Sequence, residues 1–343
     1  MRMEPLVVLA ALAGAGAAIG APDSPLPARL SDTGLYVAGS ATEVRPEHLA
    51  FAPQYPLWSD GTTKRRWLSL PPGTAVDGRK PDAWEFPVGT RLWKEFSHGR
   101  RVETRLIERT AGGTWRFASY VWNAAGTDAV LAPAAGIAAL PVAGAPGGRY
   151  SIPSREDCLA CHEGAAVPVL GFSALQLSPD RDPLAPHAEP ARREHVDLAG
   201  LAARGLVRNL PQPLLDGPPR IAARTPTERA ALGYLHGNCG HCHNDAGPLA
   251  GLDLALAQRA GAATDSAADT LRSLVGHSSR FRAGGRDAAT QRIVPGSKDA
   301  SVLAMRMQSG NPLARMPPLG VQVIDGEGIA LVERWIRHDL QPH

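Results

Sequence analysis

Two pentapeptides, Cys158-Leu159-Ala160-Cys161-His162 and Cys239-Gly240-His241-Cys242-His243, use all four cysteines of the chain. Two thiols three positions apart, followed at once by an imidazole, are a donor set for either of two groups. In the attachment signal of c-type haem, each thiol adds across one vinyl group of the porphyrin and the histidine lies under the iron as proximal ligand. In a zinc site, two Cys-x-x-Cys knuckles supply four sulfurs and the histidines are incidental. Histidine is 11 of 343 residues, so its occurrence after both knuckles has odds of about 1 in 1,000 on composition alone, which favours haem. The spelling therefore implies two covalently bound haem c groups. Cys158, Cys161, Cys239 and Cys242 would carry the thioethers, and His162 and His243 would bind the irons.

A haem that carries electrons without doing chemistry needs a sixth ligand, and a methionine sulfur raises the reduction potential. Beyond the first 20 residues the methionines are Met305, Met307 and Met316. Met316 sits in Arg315-Met316-Pro317-Pro318, a stiff loop that suits a ligand held at fixed distance. Met305 and Met307 fall in a stretch that reads as a helix over 301–308, where core packing is the plainer role. Met316 is thus the expected ligand of the iron on His243. No methionine lies between His162 and His243. The sixth ligand of the first iron is then a histidine, a long-range methionine or nothing; His187, His195 and His236 are the nearby candidates, each more simply read as a surface or hydrogen-bonded histidine.

The elements that must position these groups fall into two kinds. Six of the seven tryptophans lie between Trp58 and Trp122. There, β-favouring runs over 65–70, 84–88, 91–96, 101–109 and 114–122 alternate with turn signals, and the last two flank Gly112-Gly113 as a hairpin. Val102, Thr104 and Leu106 alternate with Glu103 and Arg105, the period of a strand. From Leu57 to Arg109 there are eleven Lys/Arg and seven Asp/Glu, an excess of four positive charges. A solvated strand face accounts for them more simply than a site for an acidic ligand. Asp60-Gly61 reads as a turn. The Ala/Gly/Pro stretch 132–148 carries no charge and marks a boundary.

After it the chain reads as helical. Ser154 and Asp157 resemble a capping box ahead of the first pentapeptide. A helix is expected over 191–204, stopped by Gly205. Thr225-Pro226-Thr227-Glu228 starts another that leads into the second pentapeptide. Asp325 can cap a last helix with the apolar stripe Ile329, Val332, Trp335 and Ile336.

Bulk properties narrow the setting. The chain is 44% apolar and 20% charged, with a formal charge of +3, ordinary for a folded protein and too small to argue for nucleic acid. Arg2 precedes an apolar run over 6–19 that ends in Ala18-Ile19-Gly20, the pattern of a cleaved export signal and too short to span a bilayer. The expected location is periplasmic, with no transmembrane segment in the mature chain.

Residues 225–339 resemble the class I cytochrome c family in order: a capped helix, Cys239 to His243, Met316-Pro317, then the Trp335 helix. The resemblance implies that Gly233 or Tyr234 meets Trp335 where first and last helices cross. More broadly, Tyr55-Pro56-Leu57-Trp58-Ser59-Asp60-Gly61, Lys64-Arg65-Arg66-Trp67, Trp84-x-Phe86-Pro87-Val88-Gly89-Thr90 and Lys94-Glu95-Phe96 resemble a family of exported bacterial dihaem cytochromes c of unassigned function.

The resulting expectation is an α+β multidomain chain. It has a signal peptide over 1–20, a Trp-rich antiparallel β-sandwich-like domain over 21–131, a linker over 132–149, a first haem segment over 150–224 and a mainly α-helical cytochrome c-type domain over 225–343. Each half carries enough apolar residues for its own core, so a fragment from Tyr150 onward is expected to fold and carry both haems. The expected role is single-electron transfer between redox partners such as a dehydrogenase, a quinol oxidase or another cytochrome. The alternatives are a peroxidase-like oxidoreductase with an open first haem, and a substrate-binding module attached to a redox domain.

Overall fold

In the computed structural model, residues 25–282 and 290–340 are described; the expected signal peptide lies outside them. The strands are β1 (Leu49–Ala50), β2 (Thr63–Ser69), β3 (Val76–Asp77), β4 (Arg91–His98), β5 (Arg100–Arg109), β6 (Trp115–Trp122), β7 (Ala129–Leu131), β8 (Ile137–Pro141), β9 (Arg149–Ile152) and β10 (Val207–Arg208). The helices are α1 (Arg155–His162), α2 (Leu198–Ala203), α3 (Pro213–Asp216), α4 (Pro226–Asn238), α5 (Ala263–Leu274), α6 (Val302–Met307) and α7 (Gly326–Arg334), the last running on through Trp335–Asp339. The chain is α+β.

Six strands form one antiparallel sheet in the order β1-β2-β4-β5-β6-β7. Strand alternation sorts its two faces by register. Trp67, Trp93, Leu106 and Ala118 line up across four strands on one face, where Leu30, Leu35 and Tyr36 of the amino-terminal segment cover them. Buried indoles need a partner for their N–H; Trp93 Nε1 donates to Thr33 (3.1 Å) and Trp122 Nε1 to Thr104 (3.0 Å). On the opposite face the rows are Leu68, Leu92, Ile107, Phe117 and, beside it, Arg66, Lys94, Arg105, Ser119. That face meets the second half of the chain. The sandwich expectation is therefore corrected to one six-stranded sheet, covered by chain segments and a two-stranded hairpin rather than by a second large sheet.

Three further expectations change. The charge-free stretch 132–148 contains β8, which pairs with β9 as a hairpin, and Val142 and Ala145 bury against Phe96 and Val102. Small apolar residues there serve a close packing contact rather than a loose connector. Trp84 to Val88 forms only a single bridge, Asp77 to Glu85, because Trp84 and Phe86 both turn into the core. The helix over 191–204 is confined to α2, capped by Asp197. The residues before it lie along the sheet edge, where the Val196 N–H donates to the Ala50 carbonyl at 2.8 Å.

The largest core crosses the proposed boundary. Phe51, Tyr55, Leu68, Trp84, Phe86 and Leu92 bury in one cluster with Phe172, Leu175, Leu232, Leu235 and Trp335. A parallel pair, β3 with β10, ties the halves a second time. A third tie is α4 itself, which lies on Tyr55. A Cβ at Gly233 would stand 2.0 Å from Tyr55 Cε1, and one at Gly237 would stand 2.5 Å from the Tyr55 carbonyl oxygen. Helix propensity alone would make Gly233→Ala stabilising by about 1 kcal/mol. The Tyr55 ring is buried and its hydroxyl donates to Asp182 at 3.1 Å, so it cannot yield. Overpacking of about 1–3 kcal/mol should win, and a lowered denaturation midpoint for Gly233→Ala is the expected result. A raised midpoint would show that Tyr55 moves freely.

The helix crossing also differs in detail from the expected one. Gly233 faces Tyr55, Tyr234 lies against Gly328 of α7, and Trp335 donates from Nε1 to Glu228 (3.3 Å). The small residue that admits the crossing is Gly328 on the last helix, not Gly233.

Candidate functional site

The first pentapeptide occupies the end of α1. Ser154 accepts from the Asp157 N–H and Asp157 accepts from the Ser154 N–H, both at 3.0 Å, the reciprocal cap expected from the spelling. Helical spacing then sets Cys158, Cys161 and His162 along one side. α1 packs on β6, where the Phe117 ring lies 4.9 Å from the His162 ring. His162 Nδ1 is 2.5 Å from the Pro168 carbonyl. Such a bond puts the proton on Nδ1 and leaves Nε2 free as a donor, the orientation that metal-binding histidines require.

The second pentapeptide is a turn rather than a helix. α4 ends at Asn238, and the Cys242 and His243 N–H groups both donate to the Cys239 carbonyl, at 3.1 and 2.9 Å. His243 Nδ1 is buried without a protein partner.

The two motifs, 81 positions apart between Cys158 and Cys239, sit against each other. Asn244 Nδ2 donates to the Gly164 carbonyl (2.8 Å) and to the carbonyls of Gly240 and His241. A Cβ on Gly164 would meet the His241 carbonyl at 2.7 Å, so only glycine permits the approach. Cys242 is near enough to Cys161 to oppose its ionisation. Among the described residues, however, no three His, Cys, Asp or Glu side chains gather as a metal cage, so the four sulfurs do not form the tetrahedron that a shared zinc would need.

Each motif opens on its own recess. Cys158 and His162 line one of about 110 Å³ between α1 and the sheet, walled by Leu92, Lys94, Arg105, Ile107 and Phe117. Cys239, Cys242 and His243 line a second of about 280 Å³, walled by leucines, Phe281, Arg292, Arg306 and the Met316-Pro317-Pro318 loop. Both have the mainly apolar lining of cofactor sites. Met316 thus shares a recess with His243 as its spacing suggested. Met307 is buried in the main core, and neither it nor Met305 lines either recess.

The electrostatics follow from burial. Cys161 is pushed up to about 11 and Cys239 to about 12, chiefly by desolvation, and Cys158 and Cys242 are raised for the same reason. The thiols are protonated at neutral pH, unlike a catalytic cysteine with its lowered pKa. Burial holds His162 at about 4 and lowers His243, so both imidazoles are neutral and able to donate a lone pair.

The three histidines considered for the first iron are elsewhere. His187 lies tilted against Trp58 (4.6 Å between ring centroids) and its Nε2 is 2.8 Å from Asp325. His195 lines a surface cleft with Trp58 and Lys64. His236 accepts the Gln258 N–H on Nδ1 (3.0 Å). None lines the recess of His162.

Several positioning residues carry no local signal. Asn244 and Pro168 act only once the motifs are packed. Asp60 does form the expected turn, but its carboxylate also accepts the N–H groups of Gln322 and Val323, both 2.9 Å from Oδ1. Comparison with protein-family models, with curated proteins and with solved structures finds no match.

Proposed function

We propose that the chain is an exported dihaem c-type cytochrome that passes single electrons between redox partners. One observation carries the reading. Two Cys-x-x-Cys-His motifs are packed directly against each other, each with its own mainly apolar recess and a neutral histidine. In each motif the two thiol S–H groups would add across two vinyl C=C bonds, forming thioethers with no change of oxidation state. Arg292 and Arg306 stand at the second recess, suited to the propionates. Met316 would complete the second iron's coordination. Two centres in one packed unit suit relay of electrons from a donor such as a dehydrogenase to an acceptor cytochrome. No helix among the described residues is long and apolar enough to cross a membrane.

The substrate-module alternative draws no support from Trp84, Trp93 and Trp122, which are core residues; its remaining motive is the surface cleft lined by Trp58 and Trp67.

The test is the full chain produced with haem-maturation machinery. Its mass should exceed the mature polypeptide by two haems, its haem absorbance should survive denaturing electrophoresis, and reduction should take two one-electron steps. A polypeptide that releases its colour on denaturation, or binds zinc through the same thiols, would overturn the reading.

A further inference from the structure

The recess beside the first motif contains a basic group with no structural employment. Lys94 stands in the middle of a cross-strand row, directly opposite Arg66 on β2 and Arg105 on β5. Each guanidinium has its own carboxylate. Arg66 donates to both oxygens of Glu189 (2.8 and 2.7 Å), and Arg105 to both oxygens of Glu103 (2.8 and 2.9 Å). Lys94 has none. Among the described residues its Nζ makes no hydrogen bond or ion pair, and it lies over the Phe96 ring at 4.8 Å.

Like charges directly opposite one another in a sheet are destabilising, and no carboxylate offsets this one. A primary amine that gives up its proton is a nitrogen donor with a free lone pair, so a Lewis acid in the recess would give Lys94 the partner it lacks.

The alternatives in the same recess are already committed. The Tyr55 hydroxyl donates to Asp182, and the Gln176 amide both donates to and accepts from the Tyr55 backbone. Guanidinium groups have no lone pair to give. No methionine and no second histidine lines the recess. Lys94 and His162 line the same recess.

We propose that Lys94 is the sixth ligand of the iron held by His162, making the first haem a closed His/Lys centre rather than an open site for peroxide. The assignment rests on the dihaem reading above. It answers the gap left by the absent methionine between the two motifs, and it gives the two centres different ligands and hence different potentials.

The experiment uses the full ferric protein with both haems, read by low-temperature electron paramagnetic resonance and near-infrared magnetic circular dichroism. Wild type should show two low-spin centres, of which one has the methionine-to-iron band. Lys94→Ala should convert one centre per molecule to high spin, leave the methionine band in place, and allow added imidazole to restore the low-spin signal. A wild-type first haem that is already high-spin, or a Lys94→Ala protein with both centres still low-spin, would overturn the assignment. In the latter case the amine would be a propionate partner. Should Lys94→Ala fail to mature, Lys94→His keeps a nitrogen donor and should stay low-spin with shifted g values. Unchanged g values would likewise overturn the proposal. A chain whose mass shows no haem would instead sink the dihaem reading itself.

Discussion

A fragment beginning at Tyr150, exported with haem-maturation machinery, is expected to yield no soluble folded protein and no first haem. Apolar content alone suggests that it should fold, but the packing points the other way. The main core takes Leu49, Phe51, Tyr55, Leu68, Val76, Trp84, Phe86 and Leu92 from before the cut. Each buried side chain of this kind contributes about 1.5–3 kcal/mol. Eight of them amount to about 12–24 kcal/mol, which matches or exceeds the 5–15 kcal/mol by which a typical protein is stable at all. Removing them also uncovers α4, whose Gly233 and Gly237 face is shaped to lie on Tyr55. Further losses are polar. Gln54 Nε2 donates to the Leu175 carbonyl, the Trp58 N–H donates to Asn238 Oδ1 (2.7 Å), and Trp58 Nε1 to the Val323 carbonyl (2.9 Å). Without their partners these buried groups carry an uncompensated desolvation cost. The first recess would lose an entire wall, since its floor is the sheet. Expression of residues 150–343 beside the full chain, followed by haem absorbance per milligram, checks this. A soluble fragment with two haems would show that the sheet is dispensable.

What the residues disclosed in advance depended on sequence distance. The capping box at Ser154, the Thr225 start and the Asp325 start all lie within three or four positions of the groups that they bind, and each forms as spelled. Alternation along residues 101–109 and 114–122 identified the central strands because one side of each is buried. The run from Tyr55 to Asp60 was visible as a pattern, yet its work was not. Its contacts reach Gln176, Asp182, Asn238 and Val323, up to 265 positions away. Nothing local in Trp58-Ser59-Asp60 distinguishes a surface turn from a clasp on the other half. The basic surplus between Leu57 and Arg109 shows the same limit. As a count it reads as a solvated face, and for Arg65, half exposed against Glu95, it is one. Register alone separates Lys94 from it, by setting that residue between two arginines over an enclosed recess.

Substitution of Met316 by alanine is expected to remove the methionine-to-iron band of the second haem and lower that centre's potential, while both covalent attachments persist. The loop that holds Met316 is secured at three points. The Met316 N–H donates to the Arg306 carbonyl (3.1 Å), buried Arg315 donates to the Val321 carbonyl (2.7 Å), and Asp60 accepts the Gln322 and Val323 N–H groups. A thioether so fixed favours the ferrous state, and axial ligands spread haem potentials over about 0.8 V. Stability should change little, because Met316 is half-exposed and leaves no sealed cavity. Met307→Ala gives the opposite pattern. That side chain is 7% exposed in the main core, so its loss should cost about 2–5 kcal/mol with the band unchanged. Asp60→Ala separates position from ligation. It removes one anchor of the loop without touching the sulfur, so the band should broaden or weaken while the mass and the first haem stay as they were. If Met307→Ala abolishes the band and Met316→Ala spares it, the helix rather than the loop supplies the ligand. The recess lined by Cys239, His243 and Met316 would then have been assigned the wrong donor.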